Sequence, residues 1–415
     1  MDICVFEDRG WRTLLPLTYA RPVFSLLCGT RSLLQKTLSF YPDASIRLAC
    51  RPLLKNLTTE EFKYPANIDG HKDGTLFING RLILNEPIPL EGPEEFAVKN
   101  DILLFARLKK DRAAELTADV LLHGDMIALL DGSVAEVRCN GKLLDFYWDI
   151  VNANKSELMR ELGNQSLGTI EGKVYDGAHL VNREGIFIGD NAKIKPGAVI
   201  DAEDGPVYIG EGTVVNANSS IEGPVFIGRD CMIQASARIC PGSTLGEVSK
   251  VGGEIEESII HGYSNKQHDG FLGHAYIGSW VNLAADTINS DLKNTYGTVR
   301  VSFGNITIDS GETFVGLAVG DHSKSAINAS FLTGSVVGFG SNVVVSGFPP
   351  KFVPSFSWCT NTGIEPYRLE KSLEVAKLVM ARRKKKLTRT AERVFRAVYK
   401  QTAGEREAVI EEWEE

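Results

Sequence analysis

Hydrophobic residues recur at every sixth position through the middle of the chain. Counting in steps of six from residue 209 to residue 251, every position is Ile, Val or Leu. The same spacing joins Ile188, Ile194 and Ile200, and looser matches follow within 277–343. Six fits neither the 3.6-residue period of an α-helix nor the alternation of a simple strand. It predicts a solenoid in which each short strand turns one aliphatic side chain inwards and then rounds a corner.

Glycine follows the inward residue in several of these repeats, as in the Ile-Gly pairs at 188–189, 209–210 and 277–278. Corners favour residues with a permissive backbone. Three six-residue units per turn would form a triangular prism, and each coil would bury the face of the next, so the region is expected to fold as one cooperative stack. This is the hexapeptide-repeat pattern typical of a left-handed parallel β-helix.

The flanking segments follow other patterns. An α/β arrangement is expected before residue 160, with four strands and one helix, namely ICVF (3–6), IRLAC (46–50), TLFING (75–80) and MIALL (126–130) as strands and SLLQKTL (32–38) as the helix. A linking helix is predicted over 146–162. Proline is expected to prevent further strand after 346–358, and residues 366–400 are predicted to be helical.

These patterns divide the chain into an α/β domain with its linking helix (1–160), the β-helix (161–360) and a basic helical tail (361–415). Apolar residues make up 43% and charged residues 24% of the chain, as is ordinary for a soluble globular protein. No apolar run is long enough to span a bilayer, and the start MDICVFEDRG is unlike a signal peptide, so a cytoplasmic protein without a membrane partner is expected.

The cysteine spacing and the charge distribution argue against two further kinds of protein, those held by zinc or disulfides and those that bind nucleic acid. The seven cysteines include no CxxC pair, so neither a zinc site nor a disulfide framework is indicated, and buried apolar roles are expected. Residues 371–400 hold eleven Lys or Arg and two Glu, a balance of +9, which leaves −17 for the remainder against a total of −8. An acidic body, and a basic run without interleaved aromatic residues, argue against nucleic-acid binding.

Two sequence motifs inside the repeat region narrow the range of protein families that the chain resembles. ARICPG (237–242) looks like an Ala-Arg-x-x-Pro-Gly motif, and QHDGFLGHAYIGSWVNLAADT (267–287) is similar to His-x-x-x-Leu-Gly-x-x-x-Ile-Gly-x-x-Val-Asn. Both resemble the acyltransferase domain of the bifunctional N-acetylglucosamine-1-phosphate uridylyltransferase/glucosamine-1-phosphate acetyltransferase (GlmU-like) family. SDLKNTYGTVRV (290–301) and VGDHSK (319–324) look like the branch of that family with a shortened nucleotidyltransferase domain.

The resemblance implies an acyltransferase that moves an acetyl group from acetyl-CoA to the amine of an amino-sugar phosphate, within UDP-N-acetylglucosamine biosynthesis. It also implies UTP-dependent sugar-1-phosphate uridylyl transfer if the first domain is active, with Mg²⁺ required only in that case. Because related sites form where coils of neighbouring chains meet, a homotrimer is expected. Two alternatives stay open: a nucleotidyltransferase with the β-helix as a trimerising stalk, and a nonenzymatic sugar-nucleotide-binding module.

Acetyl transfer to an amine needs a base near neutral pH, and histidine is the side chain suited to it. His268 aligns with the family's catalytic base, and backbone N–H groups at a coil corner can stabilise the oxyanion. The alternative for His268 is a surface histidine hydrogen-bonded in a loop. His274 is expected to be structural.

Further substrate-binding candidates come from the resemblance. Arg238 matches an arginine that binds the sugar phosphate, with an outward arginine on a solvated face as the alternative. Asn282 matches an amide that contacts the substrate, with a turn asparagine as the alternative. Lys266 or Lys293 substitutes for lysines that the relatives carry elsewhere, and Asp291 stands where they have asparagine.

A second departure from the family is Phe271, which replaces a tyrosine, so the sequence leaves the amino sugar and the acyl group open. His322 and Lys324 are candidates for contact with acetyl-CoA, and the alternative for His322 is to cap a coil. The basic cluster RRKKK (382–386) is expected to be a solvated helix face, or else to lie against the β-helix and meet the phosphates of coenzyme A.

The first domain carries a reduced form of another signature. GWRTLLPLTYARPV resembles the nucleotidyltransferase signature Gly-x-x-Arg-x-x-Pro-Leu-Thr-x-x-x-Pro-Lys, in which a glycine-rich loop approaches nucleotide phosphates. Gly10 is kept and the lysine is replaced by valine, so Arg12 and Arg21 are the candidates to hold phosphate. Asp125 resembles a magnesium-binding aspartate, with a plain turn aspartate as the alternative. A weakened uridylyltransferase is expected, and the resemblance implies a linking helix that separates the two domains.

Overall fold

The computed structural model describes residues 2–68, 74–130 and 132–414, without the side chains of 411–414. A mixed α/β domain is followed by a three-sided parallel β-helix and a helical tail, which confirms the predicted fold class. The predicted division points at 160 and 360 stay predictions. The linking helix ends at Leu162, and the last strand ends at Pro366.

The first domain is built on a six-stranded sheet. Its elements in chain order are β1 (Asp2–Phe6), β2 (Leu27–Cys28), β3 (Arg31–Ser32), α1 (Leu33–Leu38), β4 (Ser45–Ala49), α2 (Lys55–Phe62), β5 (Thr75–Asn79), β6 (Leu82–Leu84), β7 (Glu95–Lys99), β8 (Ile102–Leu108), α3 (Lys110–Ala113), α4 (Ala118–His123), α5 (Met126–Leu130), β9 (Ala135–Glu136), β10 (Gly141–Leu143) and α6 (Tyr147–Leu162). The sheet order is β4-β1-β5-β8-β7-β9, parallel at β4-β1-β5 and antiparallel at β5-β8-β7.

The three strands predicted at ICVF, IRLAC and TLFING and the helix at SLLQKTL are confirmed as β1, β4, β5 and α1. The strand predicted at MIALL is wrong, because this segment forms the helix α5. The side chain of Asp125 accepts a hydrogen bond from the backbone N–H of Ala128 at 3.1 Å. Such a cap at the first turn stabilises a helix, and the apolar run that follows is short enough to fit either structure.

The β-helix has three faces built of parallel strands, which the chain visits in the order A, B, C in each coil. Its strands in chain order are β11 (Lys173–Val174), β12 (His179–Val181), β13 (Ile186–Ile188), β14 (Lys193–Ile194), β15 (Val199–Asp201), β16 (Val207–Ile209), β17 (Val214–Val215), β18 (Ser220–Glu222), β19 (Val225–Ile227), β20 (Met232–Ile233), β21 (Arg238–Ile239), β22 (Ser243–Leu245), β23 (Lys250–Val251), β24 (Glu254–Glu256), β25 (Ile259–Ile260), β26 (Asn265–Lys266), β27 (Phe271–Gly273), β28 (Tyr276–Ile277), β29 (Asn282–Leu283), β30 (Ile288–Asn289), β31 (Arg300–Phe303), β32 (Ile306–Asp309), β33 (Ala318–Val319), β34 (Lys324–Ser325), β35 (Ser330–Phe331), β36 (Val336–Val337), β37 (Asn342–Val344), β38 (Phe352–Val353), β39 (Ser357–Thr360) and β40 (Gly363–Pro366).

Face A is the eleven-stranded sheet from β11 to β40, and face C is the nine-stranded sheet from β13 to β38. The last strand of face A runs antiparallel to its neighbour. Face B holds six strands from β12 to β27, and the pair β30-β35 follows in later coils. We name the prism edges by the faces they join, as the AB, BC and CA corners. One excursion, residues 290–316, leaves the BC corner and carries the antiparallel hairpin β31-β32.

The six-residue repeat forms the core of the β-helix, as predicted. Every repeat position from residue 209 to residue 251 is 0% exposed. The strand register aligns like positions in adjacent coils, with Ile227 opposite Leu245 on face C and Ile233 opposite Val251 on face A. An inward side chain therefore packs mainly against neighbouring coils, as in other solenoids.

The first domain is docked on the middle coils of the β-helix. Helix α6 lies against face C, where the Tyr147 hydroxyl donates to the carbonyl of Gly316 at 3.2 Å. The Tyr276 hydroxyl on β28 contacts both the backbone N–H and the carbonyl of Leu27, at 2.8 and 3.1 Å. Although α6 confirms the predicted linking helix, it does not separate the two domains as the resemblance implied.

The tail consists of α7 (Leu369–Ala381), α8 (Arg389–Gln401) and α9 (Ala403–Glu414), which confirms the predicted helical extension. The basic cluster 382–386 forms the turn between α7 and α8, so its predicted place on a helix face is wrong. The predicted end of strand structure near 346–358 is also wrong, since β38 and β39 lie within or beyond it. Pro354 lies between these strands, where no ladder N–H is required. None of the described helices has the length and apolar character that crossing a membrane requires.

A matched pair of substitutions tests the inward ladder. Val215 points into the core and is 0% exposed, whereas its neighbour Val214 is half-buried on the outside of β17. Val215→Ala should lower the free energy of unfolding by about 2 kcal/mol, because it leaves a cavity between stacked coils. Val214→Ala, the same chemical change, should cost less than about 1 kcal/mol. Urea denaturation measures both, and equal losses would contradict the inward assignment.

Candidate functional site

His268 lies on the AB corner between β26 and β27 and is exposed. Among the described residues its ring has no hydrogen-bond partner, although its backbone carbonyl is engaged. An exposed and uncommitted imidazole can accept a proton from a ligand at this edge. Its role as base stays a prediction.

Lys266 supports the His268 turn from inside the β-helix. It occupies an inward position in register with Val251 and Leu283 and is 1% exposed. Its ammonium donates to the carbonyls of His268 and Asp269 at 2.5 and 2.7 Å. Burial lowers the pKa of Lys266 to about 8. In this position Lys266 is placed to hold the turn and not to reach a substrate outside it.

Two other predicted residues lie on the faces that meet at the AB corner. Arg238 is exposed on face B and pairs with Glu254 at 3.1 Å and Glu222 at 3.9 Å. Asn282 is exposed on face A, in register with Lys324. Arg238 and Asn282 therefore lie on the two faces that meet at the corner of His268. The Lys324 ammonium donates to the carbonyl of His322 at 2.8 Å, so it lies at the CA corner and not at the AB corner.

Asp291 and Lys293 lie in the excursion at the BC corner, away from that edge. Asp291 is 2.8 Å from Nδ1 of His274, whose Nε2 is 3.4 Å from Glu257. Burial alone would lower the pKa of His274, but the hydrogen bonds to the two carboxylates outweigh it and raise the pKa to about 9. The Lys293 ammonium donates to the carbonyl of Thr298. Within one chain, Asp291 holds the excursion to His274 and Lys293 bonds to another residue of the excursion. We call the contacts of His274 with Asp291 and Glu257 the clamp.

A buried arginine of the first domain packs against the signature loop. A Cβ atom at Gly10 would lie 2.1 Å from Cζ of Arg81, so this guanidinium packs directly against the backbone of Gly10. Arg81 is buried and pairs with Asp8 at 2.6 Å and Asp145 at 2.7 Å. Arg12 is exposed and lies over the ring of its neighbour, with 4.9 Å between its Cζ and the ring centroid.

Arg21 points away from that loop and joins the first domain to the β-helix. Its Nη2 donates to Asp321 at 2.5 Å and to Ser279 at 3.0 Å, and its Nη1 lies 3.0 and 3.1 Å from the ring nitrogens of His261. Burial, followed by the Arg21 cation, holds the pKa of His261 well below its ordinary value. Arg21 is thus committed to the domain interface.

Asp125 is exposed and caps α5, as described above. Within the described ranges, no cluster of three His, Cys, Asp or Glu side chains is arranged to hold a metal ion. The predicted Mg²⁺ role of Asp125 has no support from neighbouring ligands in the part of the chain that the structure describes.

A cavity of about 990 Å³, which the sequence did not reveal, lies along the CA corners between the β-helix, the first domain and the tail. Its walls include Arg21 of the first domain, Tyr263, Trp280 and His322 of successive corners, and Lys385 of the α7–α8 turn. We call it the CA cavity. His322, predicted as a cofactor contact, therefore lines this cavity and lies on a different corner from His268.

The ring side chains of the CA corners are aligned by the coil repeat. Tyr263 stacks on Trp280 with 4.4 Å between centroids, and Trp280 stacks on His322 at 6.1 Å. All three have positive φ, at 67°, 62° and 63°, in a region that such bulky residues rarely adopt. Each lies three residues after an inward aliphatic residue. The spacing of these three residues was readable in the sequence. The structure was needed to show that the first domain and the tail lie opposite them across the cavity.

Comparison with known proteins finds a matching family model and several relatives. Residues 3–166 match the family model described as sugar nucleotidyl transferase. The chain is 32% identical over 193 residues to a bifunctional sugar-1-phosphate nucleotidylyltransferase/acetyltransferase of Sulfurisphaera tokodaii, covering 46% of this chain and 41% of that protein. It is 28% identical over 295 residues to the bifunctional protein GlmU of Methanococcus maripaludis, covering 65% of this chain and 70% of that protein. These matches confirm the resemblance stated from the sequence.

The chain spans 41% of the Sulfurisphaera relative and 33% of a GlmU protein of Synechococcus, to which it is 26% identical over 172 residues. Among solved structures, a UDP-N-acetylglucosamine acyltransferase from Campylobacter jejuni is similar with 13% identity and a TM-score of 0.25, covering 56% of this chain and 95% of that chain. The corresponding enzyme of Francisella novicida gives 15% identity and a TM-score of 0.27, covering 58% and 88%.

The clamp at His274 predicts a pH dependence of stability. A histidine whose folded pKa is raised stabilises the protein fully below its ordinary pKa of 6.5, and this stabilisation is lost as the pH rises through about 9. Between pH 6 and pH 10, wild type should lose up to about 3 kcal/mol more than His274→Gln. Urea denaturation across that range measures the difference, and the exposed His179→Gln is the control. Parallel curves for wild type and His274→Gln would contradict the clamp.

Proposed function

We propose that this protein is an acyltransferase that moves an acyl group, in the first instance acetyl, from an acyl-CoA to the amine of an amino-sugar phosphate. The observation that carries the proposal is the exposed ring of His268, which has no partner in the described residues and projects from a turn that Lys266 holds. The names of the curated relatives, nucleotidylyltransferase/acetyltransferase and GlmU, support the same chemistry.

The proposed reaction requires one proton transfer before acyl transfer. His268 takes a proton from the substrate ammonium, which frees the amine lone pair to attack the thioester carbonyl carbon. As the C–N bond forms, backbone N–H groups at the corner stabilise the oxyanion. The C–S bond then breaks, the thiolate of coenzyme A leaves and takes up the second proton that the attacking nitrogen gives up, and His268 releases the first proton to solvent. The products are the N-acyl sugar phosphate and free coenzyme A.

Substrate contacts in the proposal come from both faces beside His268. Arg238 supplies a guanidinium for the sugar phosphate, and Asn282 supplies an amide for its hydroxyl groups. Lys324, which is next to Asn282 in register, is the candidate contact for acyl-CoA. Burial lowers the pKa of Lys324 to about 8. A place in UDP-N-acetylglucosamine biosynthesis follows if glucosamine-1-phosphate is the acceptor.

The proposed homotrimer explains why one chain does not gather the whole set. Asp291 and Lys293 lie on the BC corner, whereas His268 lies on the AB corner. Three prisms packed around a common axis can bring the BC corner of one chain to the AB corner of the next. The trimer would then complete the substrate site between chains.

Sugar-1-phosphate nucleotidyl transfer is the second candidate, favoured by the family model that matches residues 3–166. The residues of the signature loop do not favour it, because Arg81 packs against Gly10 and Arg21 is bound to Asp321. We therefore place the principal activity in the β-helix.

The base assignment is tested by His268→Ala. Loss of the proton acceptor should lower the rate of coenzyme A release from acetyl-CoA and glucosamine-1-phosphate by about 10²- to 10⁴-fold. A thiol-release assay measures the rate across a panel of amino-sugar phosphates. The control is His179→Ala, another exposed histidine of the β-helix, which should retain wild-type activity. An unchanged rate for His268→Ala would rule out the assignment.

The trimer is tested by sedimentation equilibrium. One chain has a mass of 45.4 kDa, so the proposed assembly should sediment at three times this mass at micromolar concentration. A monomer that retains full acyl-transfer activity would contradict a site completed between chains.

A further inference from the structure

We propose that the CA cavity is a second ligand site, which binds the nucleoside diphosphate part of a nucleotide ligand. It lies between the first domain, the CA corners and the tail, whereas the proposed acyl-transfer residue His268 lies at the AB corner. Its volume of about 990 Å³ is at the upper end of the range for small-molecule sites. The two sites use different corners of the prism, so each can be tested separately.

Two buried polar groups beside the cavity lack partners. Nε of Arg21 and Nδ1 of His322 have no hydrogen-bond partner among the described residues, and both residues line the cavity. His322 is only 8% exposed. A buried polar group without a partner is unfavourable. Both atoms are buried behind the cavity wall, so they mark polar side chains beside the cavity and not atoms that a ligand contacts in this conformation.

The cavity wall carries charges of both signs. Lys385 and Lys386 enter it from the α7–α8 turn, and neither is paired with a carboxylate among the described residues. Such ammonium groups suit phosphate oxygens. Glu60 and Glu61 line the cavity from α2 and would repel phosphate, but carboxylates accept hydrogen bonds from sugar hydroxyls. The diphosphate is therefore assigned to the two lysines, and a sugar to the carboxylates of α2.

Two further carboxylates of the cavity wall are paired with arginines of the same protein. Asp321 pairs with Arg21 at 2.5 Å, and Glu247 pairs with Arg229 at 2.6 Å. Lys385 lies over the ring of Tyr263, with 5.6 Å between its Nζ and the ring centroid, and the Tyr263 hydroxyl donates to Glu247 at 3.0 Å. Glu211, also on the wall, forms no ion pair with the described residues and belongs with the acceptors for hydroxyl groups.

A flat apolar surface accompanies these polar groups. Phe187, Tyr208 and Phe226 stack along face C, with 4.5 and 5.1 Å between successive centroids. The column ends at Phe226, because the next residue in register is Thr244. Tyr208 and Phe226 both line the cavity. Phe226, which ends the column, is half-buried and lines the cavity. Its ring offers a surface on which a nucleobase can stack, which favours a nucleotide over a simple sugar phosphate.

A nucleoside diphosphate group occurs both in sugar nucleotides and in coenzyme A, and the experiment separates these sources. Isothermal titration calorimetry on the full-length protein is performed with UDP, UDP-N-acetylglucosamine, coenzyme A and uridine. We expect UDP to bind at least tenfold more tightly than uridine, because uridine lacks the phosphates. Competition by UDP-N-acetylglucosamine but not by coenzyme A assigns the site to a sugar nucleotide, and the reverse assigns it to coenzyme A.

The variant Lys385→Gln/Lys386→Gln changes only exposed side chains in the turn. It should weaken UDP binding at least tenfold, whereas the matched control Lys400→Gln, an exposed lysine of the tail outside the cavity lining, should not change it. Phe226→Leu should weaken UDP binding and leave pyrophosphate binding unchanged.

Two results would overturn the proposal: no binding of any nucleoside diphosphate at millimolar concentration, or equal affinity for UDP in wild type and the double lysine variant. Binding in His268→Ala should equal that of wild type, because the AB corner takes no part. A failure of the acyl-transfer proposal is therefore distinguishable from a failure of this one.

Discussion

A coil of this β-helix cannot bury its inward side chains alone, and this constraint determines the remainder of the structure. Each aliphatic residue gains its contacts from the coils on either side, so the coils must remain in register. The register also aligns the corners, and outward side chains at equivalent positions then form columns along the prism. Tyr263, Trp280 and His322 form such a column, and the stacked rings of face C form another. A repetitive core thus supplies surfaces on which ligand groups can be arranged.

The interior departs from the aliphatic pattern in the coils that carry the candidate chemistry. Lys266 and Asn289 occupy inward positions and are 1% and 2% exposed. Lys266 bonds to the carbonyls of the His268 turn, and Asn289 bonds to the backbone of Gly273. Both polar groups therefore stabilise particular loop conformations at the expense of apolar packing. Such an exchange is expected where the position of a loop matters more than maximal stability.

The sequence predicted the β-helix well because its signal is local and repeats. The inward positions, the linking helix and the helical tail required only spacing and residue type. MIALL was misassigned because five apolar residues fit strand or helix, and the cap at Asp125 decides between them. The prolines near residue 350 were misread because a corner needs no ladder hydrogen bond. The CA cavity was beyond prediction, since Arg21 and Asp321 meet only after the first domain docks onto particular coils. Likewise, whether residues of the AB and BC corners meet depends on assembly, which one chain does not encode locally.

The contact between Arg21 and Asp321 makes the two ends of the β-helix unequal in their tolerance of length change. The first domain contacts the β-helix near its linking helix and again at Ser279 and Asp321. The distance between these two contacts therefore fixes the number of coils between them. Duplication of a coil in this interval would shift Asp321 by one strand spacing, about 4.8 Å, and break the contact. Duplication among the coils before residue 200 would leave the contact between Arg21 and Asp321 in place, and only the segment that joins α6 to β11 would have to span the added coil. Natural variation in coil number is therefore expected at the amino-terminal end of the prism, with a constant count across the docked segment.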